Sequence, residues 1–103
     1  MKLYIKAAAS LGPAQRAELA KTASDPKELA RLADDENDWV RCNAAENPNT
    51  SIEDLSWLAN DENEYVRYCV AKNLSTSAEI LARLADDENI SVSRLAAGNL
   101  ATT

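Results

Sequence analysis

The sequence is poorest in the residues that most catalytic chemistry needs. It has no histidine in 103 residues, which removes the commonest general base and metal ligand. Two cysteines, Cys42 and Cys69, are too few for a disulfide scaffold, and a Cys/His metal cluster is excluded with them. Glycine occurs twice and proline three times, so neither a glycine-rich phosphate loop nor a disordered, proline-rich linker is present. Phenylalanine is absent and aromatics make up only 5%, so a core has to come from Leu, Ile, Val and Ala, which suits close helix packing. Basic residues are outnumbered 17 to 11, a net charge of -6, which argues against direct nucleic-acid binding. No run approaches the roughly 18 apolar residues of a membrane span. Lys6 interrupts the apolar start of the chain, leaving no export signal, so a cytoplasmic protein with reduced thiols is expected.

What is present is repetition. Residues 24–49, 50–75 and 76–101 are three copies of one 26-residue unit. Leu29, Leu55 and Leu81 coincide, as do Leu32, Leu58 and Leu84, Val40, Val66 and Val92, and Asn47, Asn73 and Asn99. Each unit divides into two short helices. The first is expected to open at a hydroxyl cap, Thr50 or Thr76, with Glu53 or Glu79 three residues on; Ser24 keeps the cap but is followed by Lys27. Its apolar stripe reads Ile52, Leu55, Leu58, Ala59 in the second copy and Ala78, Leu81, Leu84, Ala85 in the third. Asn37, Asn63 and Asn89 are placed to cap the second helix, and Pro48 ends the first copy by pushing Asn47 out of helical dihedrals.

Residues 1–23 read as a degenerate opening unit, an amino-terminal helical cap in which Pro13 to Lys21 falls over the second helix of the repeat, with a short strand at Leu3 to Lys6 as an alternative. One helix pair cannot bury its own apolar face, so the units must stack. The expected fold is all-α, a right-handed α-solenoid of three helix-pair repeats behind that cap and one domain over residues 1–103.

Ala-Glu-Asn-Pro-Asn-Thr (45–50), Leu-Ala-Arg-Leu-Ala-Asp-Asp-Glu-Asn (81–89) and the Val-Arg pairs ending at Arg41 and Arg67 resemble the leucine-rich repeat variant family, bacterial helical repeat proteins of the HEAT-like type. The resemblance covers residues 24–101 and implies a fold more than a function. Some members hold an iron-sulfur cluster in a cysteine-rich segment that has no counterpart here, so no cofactor is implied. The third copy has Ser93 where the pattern has Arg.

Positions that differ between copies are free of the demands of stacking. On one side of the second helix they read Trp39, Cys42, Glu46, then Tyr65, Tyr68, Lys72, then Ser91, Arg94, Gly98. An indole, two phenols and an arginine have the composition of binding hot spots. Second helices of such arrays commonly line a groove, so a peptide or protein partner is expected at Trp39, Arg41, Tyr65, Arg67, Tyr68 and Arg94; Trp39 and Tyr65 covering neighbouring helices is the structural alternative. Arg41 and Arg67 suit either that groove or pairing with acids of an adjacent turn. Trp57 is expected to be exposed on the opposite side.

Residues 1–31 carry a net charge of +3 and residues 32–103 a net -9. Much of the acid lies in the inter-helix turns, where Asp34, Asp35, Glu36, Asp61, Glu62, Asp86, Asp87 and Glu88 would line up as a ridge. Such a ridge serves solubility and second-helix N-termini, a basic partner surface, or weak divalent-cation binding without the spacing of a calcium loop. Function therefore divides between a non-catalytic protein-binding module using the groove and an acidic inhibitor occupying the nucleic-acid-binding surface of a partner. An open apolar end at Leu81, Leu84 and Leu95 would favour self-association through the C-terminal repeat.

Overall fold

The protein is all-α. A computed structural model describes residues 11–102, and among these it has seven helices and no strand. They are α1 (Pro13–Thr22), α2 (Pro26–Ala33), α3 (Asp38–Glu46), α4 (Ile52–Leu58), α5 (Glu64–Lys72), α6 (Ala78–Leu84) and α7 (Ile90–Ala101). None is long and apolar enough to cross a membrane. The strand considered at Leu3 to Lys6 lies outside the described residues.

The helices form two rows. In one row α1 packs on α3, α3 on α5 and α5 on α7, while α2, α4 and α6 lie against them on one side. The molecule is correspondingly long and thin, 44 × 21 × 16 Å. Helices of seven to twelve residues are too short to persist alone in water. Their stability comes from the shared core, where Leu29, Leu55, Leu58, Val40, Val66 and Val70 have no exposed surface. Small residues at the contacts between α1, α3, α5 and α7, among them Ala17, Ala44, Ala45, Ala71 and Ala96, let the axes approach closely.

Asn37, Asn63 and Asn89 cap the second helices as expected: their Oδ1 atoms accept from the backbone N–H of Trp39 (2.9 Å), Tyr65 (2.8 Å) and Ser91 (3.0 Å). The caps of the first helices fall one residue later than the sequence suggests. Ser51 and Ser77 accept from the N–H groups of Asp54 and Ile80, and Asp25 replaces Ser24 in the first unit. Thr50 and Thr76 are instead buried, and their hydroxyls donate back to the carbonyls of Ala44 (2.5 Å) and Val70 (2.7 Å). A hydroxyl at either position of a Thr-Ser pair can cap. In both pairs the threonine lies inside and the serine caps.

Two positions of the expected apolar stripe face solvent. Ile52 is 54% exposed and Ala78 is exposed, because each is the first residue of its helix and faces out of the stack. Leu81 and Leu84 are buried beneath α7, so they do not form an open apolar end; Leu95 is half-buried against the core.

Asn47, Asn73 and Asn99 join one unit to the next. Asn47 Nδ2 donates to the carbonyls of Ala20 (2.9 Å) and Ala23 (2.8 Å), Asn73 Nδ2 to those of Ala45 (2.8 Å) and Asn47 (3.0 Å), and Asn99 Nδ2 to that of Ala71. The acceptors are carbonyls at or just past the C-termini of the preceding second helices, which have no partner within their own helix. Asn47 and Asn73 also accept from Asn49 and Ser75 N–H, fixing the turn that leads to the next unit.

Candidate functional site

Residues 39, 65 and 68 follow the capping asparagines on α3 and α5, so their side chains leave the outer side of the row formed by α1, α3, α5 and α7. Trp39 is 53% exposed, Tyr65 68% and Tyr68 38%. All three meet round one cleft of about 400 Å³ between α3 and α5, floored by Cys42 and Cys69 and edged by Asp38 and Glu46. Trp39 also borders the preceding cleft, between α1 and α3, with Glu18, Lys21 and Glu46. Tyr65 and Tyr68 border the following one, between α5 and α7, with Glu64, Asn89 and Ser91. Three successive clefts thus share aromatic walls. Trp57, 64% exposed on α4, lies on the other row.

The carboxylates at these clefts are oriented by neutral donors. Asn63 Nδ2 donates to Asp38 (2.7 Å), Asn89 Nδ2 to Glu64 (3.1 Å) and Cys69 Sγ to Glu46 (3.2 Å). Nearby Cys42, burial and the Glu46 charge all push the Cys69 thiol up from its ordinary range, so it stays a protonated donor. Asp38, Glu46 and Glu64 are absent from the sequence-based set of partner contacts. The Asp-Trp and Glu-Tyr pairs at 38–39 and 64–65 were the signal for two of them.

The arginines separate into two groups. Arg41 and Arg67 do not join the aromatics. Arg41 reaches forward to Asp61 of the next turn, with Nε to Oδ2 at 2.8 Å and a second bond at 3.1 Å, while its Nη1 donates to the carbonyls of Asp35 and Glu36. Arg67 repeats the arrangement on Asp87 and the carbonyl of Asp61. Only 13% of each arginine side chain is exposed. Arg16 on α1 makes the same pair with Asp35 in the turn between α2 and α3. Ser93 stands in the equivalent position of the third copy. Arg94 is exposed on α7 in register with Tyr68.

The acidic ridge divides for the same reason. Asp35, Asp61 and Asp87 are held by guanidinium groups, and each also accepts from the N–H two residues on, at Asn37, Asn63 and Asn89. Asp34, Glu36, Glu62, Asp86 and Glu88 remain exposed. Among the described residues no group of three or more acids or cysteines is arranged to hold a metal ion.

Burial raises the Asp87 carboxyl, but Arg67 and the Asn89 N–H more than offset it and hold the group below the usual carboxylate range; Asp35 is lowered likewise by Arg16 and Asn37 N–H against the pull of burial. A carboxyl lowered on folding contributes its full stability above the unfolded value of about 3.9 and loses it as pH falls through the folded value. Thermal melts followed by circular dichroism are therefore expected to be level from neutral pH to about pH 5 and to fall below about pH 4. Asp87→Asn should flatten part of that fall; an unchanged acid limb would refute the assignment.

No family model, curated protein or solved structure matches this chain.

Proposed function

We propose that the chain is a non-catalytic protein-interaction module: a right-handed α-solenoid of three 26-residue helix pairs with an amino-terminal helical cap, of the leucine-rich repeat variant type. It acts in the cytoplasm, without a cofactor, and holds a peptide or protein against the outer side of α1, α3, α5 and α7. One observation carries the reading. Trp39, Tyr65 and Tyr68 come from two neighbouring helices to a single cleft and remain exposed there, Trp39 and Tyr65 by more than half, although the core is built without them. Aromatics gathered in solvent cost solubility and contribute no core packing, whereas at an interface they supply large contact area with few rotamers to freeze. Arg94 extends the same strip onto α7.

The second reading, an acidic inhibitor of a nucleic-acid-binding partner, is favoured by the five exposed ridge carboxylates and weakened by the three that arginines neutralise. The two are separated by capture from source-cell lysate with wild type and the Trp39→Ala/Tyr65→Ala/Tyr68→Ala variant, washed at low and at physiological salt. The expected partner survives about 150 mM salt and is lost with the aromatics. A partner that ignores the aromatics and washes off with salt would support the ridge instead. Because the three side chains are exposed, the variant should melt close to wild type.

A further inference from the structure

We infer that the aromatic face selects a cationic, extended peptide segment, with Lys or Arg side chains spaced about three residues apart. The inference rests on the groove reading above and names its partner. Charge is the first ground. Arg41 and Arg67, which could have served this face, are held in ion pairs at the inter-helix turns. Four carboxylates remain at the three clefts, Glu18, Asp38, Glu46 and Glu64, against one cation, Lys21. Lys72 and Arg94 are exposed on α5 and α7 but line none of the three clefts.

The second ground is how those carboxylates are held. Asp38, Glu64 and Glu46 each accept one bond from a neutral group, an asparagine amide or a thiol. Such a donor fixes the carboxylate's direction and leaves its charge in place. Asp35, Asp61 and Asp87, by contrast, have theirs cancelled by guanidinium groups. An oriented carboxylate outside any ion pair, beside an aromatic ring, suits an alkylammonium or guanidinium, which gains from the ring face and from a charge-assisted hydrogen bond together.

The third ground is spacing. Each cleft combines at least one aromatic wall with at least one such carboxylate, and successive clefts are separated by one packed helix. Packed helices step about 8 to 10 Å. An extended chain advances about 3.3 Å per residue, so one step of the face matches about three residues of ligand.

The test is selection of a displayed random-peptide library on the immobilised full chain, followed by fluorescence anisotropy with the enriched peptides. Lys and Arg should be enriched at about three-residue intervals. Affinity should fall about tenfold in Glu46→Gln/Glu64→Gln and in Trp39→Ala/Tyr65→Ala, and change less than about twofold in the ridge variant Asp34→Asn/Glu36→Gln/Glu62→Gln. Enrichment of neutral or acidic peptides that still depend on Trp39 and Tyr65 would overturn the cationic selectivity and leave the groove standing. No enrichment, or binding indifferent to the aromatics, would overturn both.

Discussion

Replacing Asn73 by alanine is expected to lower the free energy of unfolding by about 3 kcal/mol, read from urea denaturation with an unchanged m-value. The size follows from what the amide leaves behind. Asn73 is only 6% exposed, and its Nδ2 donates to two carbonyls of the preceding unit, those of Ala45 and Asn47, while its Oδ1 accepts from Ser75 N–H. Alanine removes all three bonds at once. The Asn47 carbonyl keeps the Thr50 N–H and Ser75 N–H can turn to water, so the cost falls mainly on the Ala45 carbonyl, at about 1 to 3 kcal/mol for a buried polar group without a partner, together with the lost bonds themselves. Asn73→Asp separates the contributions: the carboxylate still accepts from Ser75 but faces two carbonyl oxygens with no hydrogen to offer, so it should be at least as damaging. A loss below about 1 kcal/mol in both variants would mean that the turn relaxes to water and that the ladder is not what joins the units.

The same residues show how far the sequence could be read. The 26-residue period is legible in the repeated Leu, Val and Ala positions, and Leu29, Leu55, Val40 and Val66 among them are buried in the helical core. The second-helix caps were legible too, since a single asparagine precedes each of those helices. The first-helix caps were not, because Thr50-Ser51 and Thr76-Ser77 offer two hydroxyls in succession and only packing selects between them.

At the candidate site, the exposure of Trp39, Tyr65 and Tyr68 was foreshadowed by their variation between copies. Arg41 and Arg67 suit either the groove or the acids of an adjacent turn on sequence alone, because helix periodicity gives the face from which a side chain leaves but not where a long one ends; the structure shows the pairing. The missed sign was joint occurrence. Arg41 and Arg67 each have an aspartate 20 residues ahead, Asp61 and Asp87. Arg16 escaped for a simpler reason. A strict shift of 26 places Gln15, not Arg16, over Arg41, so the opening unit is one residue out of register at that point.

Arg67→Met is expected to cost about 2 to 3 kcal/mol of stability and to leave peptide affinity at the aromatic face unchanged. The stability part rests on geometry. Arg67 holds Asp87 through two bonds, at 2.8 and 3.2 Å, and its Nη1 donates to the Asp61 carbonyl at 2.7 Å, so one side chain ties α5 to the turns on either side of it. Methionine keeps much of the aliphatic packing but leaves a carboxylate with 9% of its side chain exposed and no counter-charge. Asp87 retains the Asn89 N–H, which keeps the expected loss below that of a carboxylate stripped of every partner. Asp87→Asn should cost less than Arg67→Met, and the double variant less than the sum, with a coupling of about 1 to 2 kcal/mol from urea midpoints. Near-additivity would show that the pair is no more than an exposed salt bridge. The affinity part decides between two uses of one residue, because a guanidinium whose Nε, Nη1 and Nη2 are taken by the Asp87 carboxylate and the Asp61 carbonyl has none of them left for a ligand. Loss of peptide binding in Arg67→Met while the protein remains folded would return Arg67 to the binding face, and with it a positive charge that the cationic selectivity of that face does not tolerate.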